Sequence, residues 1–164
     1  MDALRQDRTV SIGLLILRLG VGGYLLTHGL GKLRMLLAGN FEQMGDPIGL
    51  GPVVSLILVV VAEFLCALLV MLGLTTRFAA LLVVISMSVA AFVAHGSDPW
   101  TMEKGYMLFM SGVSKSWASK EPALLYLISF LALVFTGAGI FSLDALIWPR
   151  WRAHRAQREG DRVR

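Results

Sequence analysis

An apolar stretch near the start of the chain, residues 11–32, is long enough to span a bilayer and yet contains an arginine. About 20 residues of helix rise about 30 Å, which is the thickness of a hydrocarbon core. Arg18 lies well inside this stretch, and a charge at such depth faces the interior of a bundle or a wet cavity. The sequence therefore predicts a transmembrane helix whose arginine has a partner inside the protein.

Three more apolar segments follow the first, and the chain as a whole is 56% hydrophobic and 16% charged. A soluble domain carries about 25% charged residues, so this composition favours an integral membrane protein. The four predicted spans are residues 10–30, 52–74, 78–94 and 122–143. We predict an all-α, antiparallel four-helix bundle in one domain, residues 1–149, followed by a basic cytoplasmic tail, residues 150–164.

The basic residues that flank the spans predict the orientation of the bundle. Nine lysines and arginines lie on the side of the two termini and the turn after the second span, and five lie on the other side. The positive-inside rule then puts both termini in the cytoplasm of a multi-pass protein of the plasma (inner) membrane. The arginine-rich tail is interpreted as a topology determinant that contacts anionic membrane lipid, and no nucleic-acid partner is predicted.

The single cysteine, Cys66, excludes one class of membrane redox protein. A disulfide or a Cys-x-x-Cys dithiol needs a second cysteine, which this chain lacks. Enzymes that pass disulfides to quinones are therefore excluded, and no metal site is predicted. Cys66 lies within the second apolar segment and is interpreted as a small packing residue.

Glu63, in the second span, is the predicted partner of Arg18. The two helices run in opposite directions, and counting residues from their cytoplasmic ends puts the two charges within about 5 Å of the same depth. We predict an intramembrane ion pair between them. Two interpretations stay open: a structural link between helices, or part of a ligand or proton path.

A second group of polar and aromatic residues is predicted at the outer surface of the membrane. The loop 96–120 is too apolar for a plain linker, and we expect it to lie along that surface with a short helix. Its aromatic residues and nearby charges predict a ligand-binding site, and two histidines are the candidate catalytic, proton-exchanging groups. The alternative is that these residues only mark helix ends and anchor the interface. The catalytic candidates are His28 and His95, and the ligand-binding candidates are Lys32, Glu121, Trp100, Tyr106 and Trp117.

Several sequence elements together resemble the DoxX family of small four-helix membrane proteins. They are LLILRLGVGGYLLTHGLGKL, then AEF, then LLVMLGLTTRFAALLVVISM, then His95, and finally KEPALLYLISFLALVFTGAGIFSLD. The resemblance covers residues 11–144 and implies a four-helix membrane fold. Members of that family include subunits resembling the membrane part of a thiosulfate:quinone oxidoreductase and others associated with membrane redox complexes.

Two hypotheses about function follow. In the first, the protein is a small membrane subunit of a quinone-linked oxidoreductase; no cofactor motif is present, a quinone is the expected substrate, and a redox subunit is the expected partner. In the second, it is a non-enzymatic scaffold or assembly factor whose outer loops bind a partner protein. The sequence leaves the electron donor and the oligomeric state open.

Overall fold

The first helix extends beyond both ends of the apolar stretch that predicted it. In the computed structural model, which describes residues 2–147 with side chains from residue 8 onward, α1 covers Asp2–Leu37. No proline occurs in this range, so no ring interrupts the i to i−4 hydrogen bonds. The helix is therefore longer than the predicted span, 10–30. The predicted tail, 150–164, and the domain boundary before it lie outside the described residues.

The next two helices form a hairpin. The second, α2, covers Pro52–Leu72, and the third, α3, covers Thr76–Ala94. Gly73 follows α2 in the left-handed conformation, with φ +68° and ψ +40°, which a glycine adopts without a steric penalty from Cβ. The helix ends lie within two residues of the predicted spans, 52–74 and 78–94.

Both helices of the hairpin contain a π-helical segment. In α2 it covers Val61–Cys66, and in α3 it covers Ala90–Ala94. The second ends with the amide of His95 donating to the carbonyl of Ala90 at 2.9 Å, five residues back. A π segment inserts an extra residue into a helical turn, so it rotates the flanking side chains away from their places in a regular α-helix.

The expected short helix is present in the loop between the last two long apolar segments. This helix, α4, covers Met102–Met110, and the hydroxyl of Thr101 accepts a hydrogen bond from the amide of Lys104 at 3.3 Å, as an N-cap does. The carboxylate of Glu121 accepts a hydrogen bond from the amide of Met102 at 2.7 Å. The start of α4 is thus joined to the start of the following helix.

The last long helix, α5, covers Glu121–Thr136 and ends earlier than predicted. Gly137 and Gly139 have φ values of +74° and +75°, which a continuing α-helix does not tolerate. The prediction of a helix over 122–143 was therefore wrong at its C-terminal end. The chain instead returns toward α1, where the amide of Ile140 donates to the hydroxyl of Ser11 at 3.2 Å.

Glycines allow α1 to pack closely against α2. A Cβ on Gly29 would lie 2.5 Å from both the carbonyl oxygen of Glu63 and the amide nitrogen of Phe64. A Cβ on Gly22 would lie 2.6 Å from Cγ of Met71. Close approach at small residues is the usual way in which membrane helices pack, because lipid and side chains are equally apolar. These contacts fix the register of α1 on α2.

Three helices among the described residues are long and apolar enough to cross a membrane. They are Arg8–Leu37, Pro52–Leu72 and Thr76–Ala94. Helix α5 is apolar but has 16 residues, fewer than the roughly 20 that a regular transmembrane helix needs. All regular secondary structure within residues 2–147 is helical. The described residues thus form an all-helical structure with three candidate membrane-spanning helices, and the four crossings and the cytoplasmic termini stay predictions.

Candidate functional site

A partly buried ion pair joins α1 to the π-helical segment of α2. Nζ of Lys32 lies 2.5 Å from Oε1 of Glu63, and the exposed fractions of the two side chains are 27% and 5%. Lys32 follows Gly29 by three residues, so it lies on the same face of α1, about one turn further along. Because Gly29 brings the two backbones into contact beside Glu63, the lysine side chain reaches the carboxylate directly.

This pairing corrects the predicted ion pair of Arg18 and Glu63. Arg18 is fully buried, and its guanidinium donates to the carbonyl of Phe141 at 2.5 Å and to that of Val70 at 3.4 Å. Val70 is seven residues beyond Glu63, or about 10 Å along a helix. The prediction was wrong because it aligned the ends of the two helices at one level, whereas the glycine contacts set a different register.

Near Arg18, residues 141–144 at the end of the described chain are hydrogen-bonded to the turn between α2 and α3. The carboxylate of Asp144 accepts hydrogen bonds from the amides of Thr75 at 2.7 Å and Thr76 at 2.9 Å. The amide of Asp144 donates to the carbonyl of Gly73 at 2.8 Å. An acidic side chain at the N-terminus of α3 also interacts favourably with the helix dipole. Arg18 and Asp144 therefore hold residues 141–144 against this turn.

A cavity of about 340 Å³ lies between α2 and α3, beside the ion pair. Its walls are mostly apolar and include Leu58, Leu82 and Ile85. Polar groups reach it at a few points only: the Lys32–Glu63 pair, two serines and one histidine, which are Ser55, Ser86 and His95. An apolar cavity of this size with a few convergent polar groups has the usual character of a small-molecule site. We call it the Glu63 cavity.

The loop between α1 and α2 covers one side of the Glu63 cavity with Met44, Pro47 and Ile48. Asp46 attaches this loop to the start of α2: its carboxylate accepts hydrogen bonds from the amide of Gly51 at 2.7 Å and the hydroxyl of Ser55 at 2.8 Å. The Gly51 amide, and then the Ser55 hydroxyl, hold the pKa of Asp46 below its ordinary value, because both donate to the charged form.

His95 lies at the end of α3, where it borders two cavities. It lines the Glu63 cavity and also a smaller cavity of about 220 Å³ that includes Trp117 and Ser119. Its Nδ1 lies 2.7 Å from a carboxylate oxygen of Asp98. In the neutral imidazole a carboxylate at Nδ1 favours the proton on that nitrogen, which leaves Nε2 as the acceptor. Asp98 thereby orients His95.

The other predicted site residues do not line the Glu63 cavity. The ring of His28 makes an edge contact with Tyr126, with the ring centroids 6.1 Å apart. The other predicted residues make contacts within the loop 96–120 or with the start of α5. The carboxylate of Glu121 accepts a hydrogen bond from the amide of Met102, the ammonium of Lys120 lies over the ring of Trp100, and the rings of Tyr106 and Trp117 are in edge contact. The residues that we predicted at one level are thus divided among the Glu63 cavity, the contact between His28 and Tyr126, and the loop 96–120 with the start of α5.

Sequence reasoning missed four polar residues in or beside the site: Asp46, Ser55, Ser86 and Asp98. Asp46 comes shortly before the proline that begins α2, a position where an aspartate often accepts hydrogen bonds from nearby backbone amides. Asp98 follows His95 by three residues, close enough for local pairing. Both signals were available in the sequence. Among residues 8–147, no three His, Cys, Asp or Glu side chains converge as metal ligands do.

The fold and the site together define an all-helical membrane protein. It has an apolar cavity between α2 and α3, into which a few polar side chains reach. The DoxX family profile matches residues 13–96, a range that contains Lys32, Glu63 and His95. A protein of Haemophilus influenzae described as uncharacterized is 32% identical over 134 residues, which cover 80% of this chain and 87% of that protein. The chain belongs to the DoxX family of membrane proteins. No solved structure matches it.

Proposed function

We propose that the protein binds a lipid-soluble quinone in the Glu63 cavity and acts as the membrane subunit of a quinone-linked redox complex in the plasma membrane. The observation that carries the proposal is the cavity itself. It joins an apolar wall, suited to a substituted ring, to Lys32, Glu63 and His95. These groups supply both hydrogen-bond donors and acceptors for the oxygens of a quinone head group.

The proposal assigns a role to each polar group. The ammonium of Lys32 donates to a ligand oxygen, and the imidazole of His95 exchanges a proton with it. Glu63 holds Lys32 in place, since their contact is direct and the carboxylate side chain is only 5% exposed. The chain contributes binding and proton exchange, and electrons come from a redox partner subunit of the complex.

Blocking the cavity tests the proposal. Ala94 lines the Glu63 cavity and is exposed at its edge, so Ala94→Phe is expected to fill part of it without disturbing the core. Ala132→Phe is the matched control, because Ala132 is also exposed but lies on α5, outside the cavity lining. Titration calorimetry with a short-chain benzoquinone, on the protein in lipid nanodiscs, measures the affinity.

The expected result is at least a tenfold loss of quinone affinity in Ala94→Phe and an unchanged affinity in Ala132→Phe. Equal binding by the wild type and both variants would place the quinone elsewhere. No binding by the wild type would contradict the proposal, and the scaffold hypothesis would then account for the chain.

A further inference from the structure

The Glu63 cavity lies where α2 and α3 separate from each other. Helix α3 packs against the second half of α2, which includes the π-helical segment Val61–Cys66, rather than against residues 52–60. The cavity lies between those first turns of α2 and the second half of α3. A gap between two membrane-spanning helices connects the space behind it with the surrounding lipid.

Two apolar side chains line the cavity and are also exposed on the surface of the helices. Leu58 of α2 is 48% exposed, Ile85 of α3 is 54% exposed, and both contribute to the cavity wall. Leu58 lies about 9 Å along α2 from its start, and Ile85 lies about 14 Å along α3 from its end. Both positions fall within a hydrocarbon core about 30 Å thick. The cavity is therefore expected to open toward lipid beside these two side chains.

The side of the cavity toward the loop between α1 and α2 is covered, and hydrogen bonds hold the cover in place. The carboxylate of Asp46 accepts hydrogen bonds from the amides of Leu50 at 3.0 Å and Gly51 at 2.7 Å, in addition to the one from Ser55. These bonds fasten the loop to the start of α2. No comparable hydrogen bond is available between Leu58 and Ile85, because both side chains are hydrocarbon.

The cavity volume limits how much of a ligand is enclosed. About 340 Å³ accommodates one substituted ring but not a long apolar tail as well. We propose that the ligand is a tailed amphiphile, a quinone with a long hydrocarbon chain, whose ring lies in the Glu63 cavity and whose tail passes between Leu58 and Ile85 into the bilayer. This proposal rests on the proposed function, because it concerns the same cavity. The ligand then enters and leaves sideways, from the lipid.

The test compares two probes on the full chain in lipid nanodiscs: a decyl-substituted benzoquinone, and the same ring with a methyl group in place of the decyl tail. Leu58→Trp narrows the gap. Ile57→Trp is the matched control, because Ile57 is 43% exposed on the same helix and does not line the cavity. Titration calorimetry measures both affinities in each variant. Each probe partitions equally into the lipid around every variant, so partitioning cancels when variants are compared.

A tail in the gap predicts a loss of affinity that depends on the tail. Leu58→Trp is expected to bind the decyl probe about tenfold more weakly than the wild type does, because overpacking an occupied contact has a cost of that order. Its affinity for the methyl probe should be nearly unchanged, and Ile57→Trp should match the wild type with both probes. Ile85→Trp, with the exposed, non-lining Leu81→Trp as its control, repeats the comparison from the other wall if Leu58→Trp does not fold.

The outcomes separate this inference from the proposed function. Equal losses for the two probes, no loss for either, or binding of the methyl probe alone by the wild type would overturn the inference and leave ring binding in place. Ile48 also lines the cavity and is 40% exposed on the loop side. A tail-dependent loss in Ile48→Trp instead of Leu58→Trp would put the tail on that side and would also overturn the inference. If neither probe binds to the wild type, the proposed function fails, and the inference fails with it.

Discussion

Gly29→Ala is the most informative single change, because it adds one methyl group at the closest contact between α1 and α2. The new Cβ would lie 2.5 Å from the carbonyl oxygen of Glu63 and from the amide nitrogen of Phe64. Both are backbone atoms and cannot rotate away as a side chain does. To restore van der Waals separation, α1 must withdraw by about 1 Å.

The magnitude follows from two contributions. Overpacking a well-packed contact costs about 1–3 kcal/mol, and the upper end applies here because the colliding atoms belong to helical backbone. Withdrawal of α1 also stretches the contact between Lys32 and Glu63, which the glycine makes possible. We therefore expect Gly29→Ala to lower the free energy of unfolding by about 3 kcal/mol and to weaken binding in the Glu63 cavity.

Gly31→Ala is the matched control, two residues further along α1. A Cβ there has nothing within 4 Å, so alanine should be neutral or should stabilise the helix by about 0.5–1 kcal/mol. Unfolding in sodium dodecyl sulfate, followed by circular dichroism in mixed micelles, measures both variants. If Gly29→Ala unfolds at the same detergent fraction as Gly31→Ala, this result would contradict the close contact of α1 with the backbone at Glu63.

Two further predictions concern the ion pair and the loop over the cavity. Lys32→Met should lower the free energy of unfolding by about 3 kcal/mol, because it leaves Glu63 buried without a countercharge. The double variant Lys32→Met, Glu63→Leu should lose less stability than the sum of the losses in the two single variants. Additive losses would refute the pairing. Asp46 has a pKa below its ordinary value in the folded protein, so its contribution to stability is complete above the unfolded pKa of about 3.9 and is lost as the pH falls through the lower folded value. The melting temperature of Asp46→Asn should therefore lie below that of the wild type at pH 6 and converge with it in strong acid; a difference that does not depend on pH would count against this role.

The location of the polar groups has a consequence for function in this family member. The Lys32–Glu63 pair and His95 line one apolar cavity between α2 and α3, and both π-helical segments contribute to its lining. Because π segments are frequent at functional sites, their presence on both walls agrees with a ligand-binding role for the cavity. The buried Arg18, by contrast, binds backbone carbonyls and holds the chain end against the α2–α3 turn.

The sequence by itself determined the membrane class and most helix positions. Hydropathy over about 20 residues reports burial in lipid regardless of the neighbours, so three spanning helices were predictable one by one. The hairpin was predictable from Gly73 and the polar residues after it, because a turn depends on local conformation. The polar residues His95, Lys32 and Glu63 could also be identified from the sequence, because each one interrupts or borders an apolar segment.

Only the tertiary structure decided which of these groups meet. Residue counting gives the position of a charge along one helix, but a pair depends on the register between two helices, and contacts at Gly22 and Gly29 set that register. This is why Glu63 pairs with Lys32 and not with Arg18. The partners of Arg18 are backbone carbonyls, which every residue carries and no sequence pattern distinguishes. The two π segments likewise change the side-chain directions that a regular 3.6-residue period predicts, because each inserts an extra residue into a turn.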